Sequence, residues 1–176
     1  HHDEMWDEKD GFFYDVLRLP DGSAVRLKVR SMVGLLPLCA STIFEPDAVV
    51  AHPRLLELIR LFRERHPEVV AHVAPTDEGY VGHGGRRLLS PLSREKLERV
   101  LRYLVDENEF LGPFGIRSLS RHHAEHPFEF RVGGEVHRVS YLPAESNTGM
   151  FGGNSNWRGP VWMPVNALIV RGLLTL

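Results

Sequence analysis

The chain is 176 residues long and 43% hydrophobic, enough to bury a sizeable core in one domain. Twenty-one Lys and Arg stand against 23 Asp and Glu, a formal net charge of −2, and the basic residues are dispersed, which excludes an electrostatic nucleic-acid binder. The longest apolar runs, "VGLLPLCA" and "ALIV", fall far short of the ~20 residues a membrane span requires. The one cysteine, Cys39, permits no intrachain disulfide and fits a buried, reduced thiol. With no secretory or transit segment in the opening residues, a cytoplasmic setting is expected. His1 and His2 resemble the remnant of a purification tag and are left out of the functional reading.

The first organised stretch, Asp10 to Ser31, alternates apolar and polar residues on both sides of "PDGS" and predicts a β-hairpin. "MVGLLPLCASTIF" opens as a continuous apolar run with Ser31 as N-cap. It predicts a buried helix kinked at Gly34 and Pro37. In "HPRLLELIRLFRERH", Leu55, Leu58, Ile59 and Phe62 fall at helical spacing, Pro53 suits the first turn, and Pro67 closes the element. "VAPTDEGYVGHGGRRLLSP" reads as a polar, glycine-rich loop. Ser93 then caps a helix with Leu97, Val100, Leu101, Leu104 and Val105 on one face. "NEFLGPFGIRSLSRHHAEHP" reads as a long irregular connection, and "FEFRVGGEVHRVSYLP" as a second hairpin around Gly133 and Gly134. After a Gly/Asn-rich loop, "PVWMPVNALIVRGLLTL" predicts a helix that starts at Pro160. The layout is apolar helices joined by long loops, with two inserted hairpins, and long connections are often functional. The pattern is still helical and apolar at Leu176, which leads us to expect a segment of a larger helical protein.

Several motifs resemble one family. "MWDEKDGFFYDVLRLPDG", "LKVRSMVGLLPL", "DENEFLGPFGIRSLSR" and "PAESNTGMFGGNSNWRGPVWMPVNALI" are together similar to the catalytic domain of bacterial glucosidase-like proteins of glycoside hydrolase family 63. That group is related to processing α-glucosidase I and to mannosylglycerate hydrolase. The resemblance implies a mainly α fold, with residues 1–176 forming part of an (α/α)6 toroid cut at both ends. It also implies inverting hydrolysis by an Asp general acid and a Glu general base. By motif order the Asp lies upstream of "WDEKDGFFYD" and the Glu downstream of "NWRGPVW". Both are therefore expected outside this chain, which is expected to be inactive alone. No cofactor is implied. The expected partners are a carbohydrate substrate and the rest of the parent polypeptide, or another chain, covering exposed helix faces.

Within "GGNSNWRGPVWMPVN" two tryptophans, an arginine and three asparagines share one glycine-rich turn. A sugar presents apolar C–H faces and a rim of hydroxyls, so its pocket needs an aromatic platform beside hydrogen-bonding groups. The resemblance assigns sugar contact to Trp157 and Trp162. Arg158 then becomes a hydroxyl or carboxylate partner, and Asn154 and Asn156 become amide donors and acceptors. Asn156 stands where relatives have Tyr, which bears on the identity of the sugar. Arg117, in "FGIRSLS", is a sugar-contact candidate by resemblance, and Asp15 a pocket candidate among the carboxylates near the start. Glu145 is a candidate supporting residue. Structural readings stand beside these: Trp162 as core at a helix start, Arg158 as an ion-pair partner fixing the loop, and the acidic residues Asp7, Glu8 and Asp10 as solvated turn charges. His122 and His126 in "RHHAEHP" have the spacing of a helical metal site. No motif places a third ligand and Pro127 follows, so no metal is expected. "GYVGHGGRR" lacks the ending of a phosphate-binding loop and reads as a loop only.

Overall fold

Turn chemistry dictates the opening elements. In the computed structural model, which describes residues 5–70 and 82–176, β1 (Trp6–Asp7) pairs antiparallel with β2 (Phe12–Phe13), and β3 (Asp15–Arg18) with β4 (Ala24–Leu27). The "PDGS" hairpin is therefore present. Its turn donors are taken up locally: Gly22 N–H donates to Leu19 O at 2.9 Å, and Ser23 N–H to Asp21 Oδ1 at 2.9 Å.

The apolar run that follows departs from expectation. Met32–Ala40 is a nine-residue 3₁₀ helix rather than a kinked α-helix. At about three residues per turn, Met32, Leu35 and Leu38 share one stripe, and all three are buried. Pro37 removes a donor from any α-helical ladder there. Gly34 is held by packing, because a Cβ at this position would collide with the Phe12 ring and the Phe13 carbonyl. Ser31, expected as an N-cap, instead bridges Leu119 in an antiparallel pair.

Proline opens each of the next three helices, α1 (Pro46–Ala51), α2 (Pro53–Arg65) and α3 (Pro67–Val70), a position where its missing N–H costs nothing. α2 matches the predicted helix, but Leu58, Ile59 and Phe62 on its apolar stripe are exposed; the side chain of Leu55 and the "VAPTDEGYV" loop lie outside the described residues. β5 (Thr42–Phe44) pairs with β6 (Arg87–Leu89). α4 (Arg94–Val105) starts as predicted, with Ser93 Oγ accepting from Lys96 N–H at 3.3 Å. Val100 and Leu104 are buried, whereas Val105 turns outward.

The stretch read as an irregular connection carries structure of its own. β7 (Leu111–Gly112) and β8 (Gly115–Ile116) form a tight hairpin, Arg121–Ala124 makes one 3₁₀ turn, and Ile116 to Ser120 are all buried. β9 (Phe128–Val132) and β10 (Glu135–Val139) are the predicted second hairpin. Its two central residues, Gly133 and Gly134, have φ of 58° and 83°, as a type I′ turn requires. The last helix, α5 (Met163–Thr175), begins three residues later than expected. Pro160 O accepts from Ser118 N–H at 3.0 Å and Val161 bridges Arg117, so this stretch is committed to extended pairing.

These pairings overturn the expectation of a mainly α toroid segment. Among the described residues, ten strands form five two-stranded antiparallel sheets, and of the α-helices only α2, α4 and α5 exceed two turns. Gly112, Pro113 and Gly115, read as part of an irregular connection, close the β7–β8 hairpin instead. The fold is a mixture of short helices and small antiparallel sheets.

The elements gather into two compact units. In the first, His1–Leu36 with Glu98–Ala167, Phe12 stacks on Phe110 at 5.7 Å and tilts against Tyr14 and Tyr103 at 5.3 and 5.0 Å. The second, Pro37–Leu97 with Leu168–Leu176, includes the buried residues Leu38, Ser90, Leu92 and Ile169. No helix among the described residues is long and apolar enough to cross a membrane.

Candidate functional site

The site is built on the loop between β10 and α5. Met150–Gly153 forms a 3₁₀ turn. Asn154 Oδ1 then accepts from Asn156 N–H at 3.0 Å, a side chain mimicking a turn carbonyl. Ser155 Oγ–H donates to Ala144 O at 2.8 Å and Arg158 N–H to Ser155 O at 2.8 Å, which draws the loop onto the residues preceding it. Gly159, at φ 133°, packs so closely on the Tyr141 ring that a Cβ would enter it. The loop bends where only glycine fits.

That bend brings the tryptophans together. Trp157 and Trp162 lie with ring centroids 4.5 Å apart and planes inclined at 56°. The spacing is that of an energetically favourable aromatic pair. Trp162 Nε1–H donates to Asn156 O at 2.8 Å, which satisfies its polar edge. Trp157 remains 38% exposed and Trp162 is half-buried. The pair is therefore held from within while part of its apolar surface stays open.

Two residues missed in the sequence hold this arrangement. Asn166, in the first turn of α5 and 9% exposed, accepts from Ile116 N–H at 2.7 Å and donates through Nδ2 to Ile116 O and Trp162 O, both at 3.0 Å. Ser118, fully buried, donates its hydroxyl to Asn156 O at 2.8 Å and accepts from Gly159 N–H at 2.9 Å. An asparagine at the start of an apolar helix and a serine in "FGIRSLS" are the available signals, but neither names a partner.

The other predicted residues fare differently. Arg158 is 1% exposed, and its guanidinium donates to Thr148 Oγ1 at 2.8 Å, so it fixes the loop from beneath. Arg117 is buried, and its Nη1 donates to the carbonyls of Glu107, Glu109 and Leu111, where it clamps the β7–β8 hairpin. Neither guanidinium joins the tryptophans at the open surface. Asn156 and Asn154 are exposed beside Trp157 in the chain, and the backbone carbonyl of Asn156 is the shared acceptor described above. Asp15 is an exposed residue of β3 opposite Leu27, and Glu145 is exposed.

Comparison with known proteins decides the family. The sequence profile of the mannosylglycerate hydrolase MGH1-like glycoside hydrolase domain matches residues 88–176, the stretch that carries Ser118, the tryptophan loop and Asn166. The chain belongs to this glycoside hydrolase family, of the family 63 type. It is 45% identical over 170 residues, 96% of its length, to the uncharacterized protein YMR196W of Saccharomyces cerevisiae. Over 86 residues, 48% of its length, it is 33% identical to a probable mannosyl-oligosaccharide glucosidase of Schizosaccharomyces pombe. The chain spans 15% of the length of the first relative, and the second match covers 8% of that relative.

For a glycoside hydrolase domain the charged groups matter next. Burial raises the Asp7 carboxyl, but Asp10 N–H, Lys28 and Arg26 outweigh it and hold the group below the usual carboxylate range. Arg26 and Lys28 lie at 3.1 and 2.9 Å from its Oδ2. Asp21 is also lowered, by the Ser23 hydroxyl and N–H. Downward shifts suit permanent anions rather than a general acid. His122 and His126, the candidate metal pair, stack at 4.5 Å and 12°. Among the described residues no group of three or more His, Cys, Asp or Glu is placed to hold a metal ion.

Proposed function

We propose that this glycoside hydrolase domain supplies a sugar-binding wall for an enzyme that cleaves an α-glucoside or a related small glycoside with inversion. The observation that carries the reading is the tilted Trp157–Trp162 pair, 4.5 Å apart and partly open, in a chain of this family. The rings cover the C–H face of one sugar unit, and Asn154 and Asn156 meet its hydroxyls. Inversion needs two carboxyl groups ~6.5–9.5 Å apart, leaving room for a water. We place that Asp and Glu in sequence outside residues 1–176, and the reading invokes no metal or nucleotide. The remainder of the parent polypeptide is the partner that completes the site.

A second reading, a noncatalytic carbohydrate-binding module, draws support from the guanidiniums. Arg117 and Arg158 are both engaged by protein groups, which leaves stacking and amide contacts as the recognition elements. The two readings part in one experiment, hydrolysis of an aryl α-glucoside followed by NMR. The full-length polypeptide is expected to release β-glucose first. Residues 1–176 alone are expected to show no turnover, since general acid and base each contribute ~10²–10⁴-fold. Turnover by residues 1–176 would place the carboxylates inside the chain, and α-glucose as first product would overturn inversion. A full-length protein that binds the sugar without turnover would support the second reading.

A further inference from the structure

Ser118 touches the tryptophan loop at three points. Its hydroxyl donates to Asn156 O at 2.8 Å and accepts from Gly159 N–H at 2.9 Å, while its own N–H donates to Pro160 O at 3.0 Å. These contacts bracket Trp157 on both sides in the chain. The Asn156 carbonyl that receives the serine hydroxyl also receives Trp162 Nε1–H at 2.8 Å. One carbonyl oxygen therefore couples Ser118 to the second indole. Ser118 is itself anchored from the far side, its carbonyl accepting from Met32 N–H at 2.9 Å.

From this geometry we infer that Ser118 is a positioning residue that sets the separation and tilt of the Trp157–Trp162 pair. Its hydroxyl makes no contact with the open surface, since the residue is fully buried. It acts through Asn156 O and Gly159 N. Without it, the Asn156 carbonyl loses one of two donors and the buried Gly159 N–H loses its acceptor, so the stretch between them is free to re-seat. The inference deepens the sugar-platform reading and rests on it only for the binding consequence.

Two indoles this close and this inclined couple electronically and give an exciton couplet in circular dichroism, which reports their mutual geometry directly. The comparison is wild type, Ser118→Ala, Ser118→Cys and the control Ser120→Ala. Ser120 is equally buried, but its hydroxyl meets Glu109 and His122 N–H rather than the loop. Both alanine variants are expected to melt below wild type. Only Ser118→Ala is expected to lose most of the couplet and to bind methyl α-glucoside about fivefold more weakly, the order of one neutral hydrogen bond. Ser118→Cys keeps the shape with weaker hydrogen bonds and should fall between, and it carries the comparison if the alanine variant does not fold. An unchanged couplet in a folded Ser118 variant, or an equal loss in Ser120→Ala, would overturn the inference. A lost couplet in Ser118→Ala with no sugar binding by wild type would uphold the role of Ser118 and overturn the platform reading instead.

Discussion

His123 has both ring nitrogens committed to the backbone. Nδ1–H donates to His126 O at 2.8 Å, and Nε2 accepts from Arg30 N–H at 2.9 Å, which fixes the neutral Nδ1–H tautomer. Protonation at Nε2 would set two donors against each other. Burial lowers the pKa of this histidine, and the neighbouring His122 and Arg30 lower it further against the opposing His126 carbonyl and Glu109. His122 is lowered too, first by burial and then by Arg30 and His126. The unfolded chain thus takes up protons near pH 6.5 that the folded chain refuses, so stability falls as pH drops below about 6.5. Urea unfolding at neutral and at mildly acidic pH is expected to show a lower midpoint in acid. An equal or higher midpoint would mean these imidazoles are charged in the fold. Residue roles were legible in the sequence where residue type alone limits the options. Tryptophan in a Gly/Asn turn needs cover or a pocket, and the pair found here answers that. For Arg158 the sequence offers a loop-fixing role beside sugar contact, but not its partner, the Thr148 hydroxyl, and for Arg117 nothing in the sequence names the three carbonyls it meets.

At the scale of elements, local chemistry decided what was readable. Asp-Gly after Pro, the Gly133-Gly134 pair and the Ser93 cap each satisfy their own backbone groups within a few residues, and all three appear as expected. Met32–Ala40 was misread because a continuous apolar run does not report its period. The threefold stripe of Met32, Leu35 and Leu38 emerges only against a partner surface. The run from Ile116 to Ser120 reads as a loop because its polar side chains find partners the sequence does not name: Arg117 on Leu111 O, Ser118 on Asn156 O and Ser120 on the Glu109 carboxylate. Gly34 tests this packing. Alanine favours a helix over glycine by up to ~1 kcal/mol, but here its methyl meets the Phe12 ring and the Phe13 carbonyl. Overpacking costs ~1–3 kcal/mol and should win. Gly34→Ala is expected to lower the urea midpoint, and a midpoint at or above wild type would show that the helix does not press on β2.

At the scale of the whole molecule, apolar side chains remain on the surface of two helices. Leu58, Ile59 and Phe62 on α2 are 58%, 38% and 50% exposed, and Met163, Leu168, Val170 and Leu174 on α5 are 68%, 51%, 50% and 84% exposed. Helical spacing in the sequence picks out Leu58, Ile59 and Phe62, and the last helix reads as apolar throughout, but neither signal says what covers these side chains, since coverage depends on other chain segments. We propose that the rest of the parent polypeptide, or another chain, lies over them. The family is shared, but the relatives are several times longer than this chain. The complete polypeptide is therefore where the sugar-wall reading meets its sharpest test. The measurement is kcat/KM for an α-glucoside set beside the melting temperature in full-length Trp157→Ala. Loss of an open aromatic platform predicts kcat/KM down by roughly 10–100-fold, ~1.4–2.7 kcal/mol of transition-state binding, with the melting temperature nearly unchanged. A fold weakened by the ~3–5 kcal/mol of a truncated core tryptophan, with kcat/KM of the folded fraction intact, would show that the loop is scaffold and contradict the account.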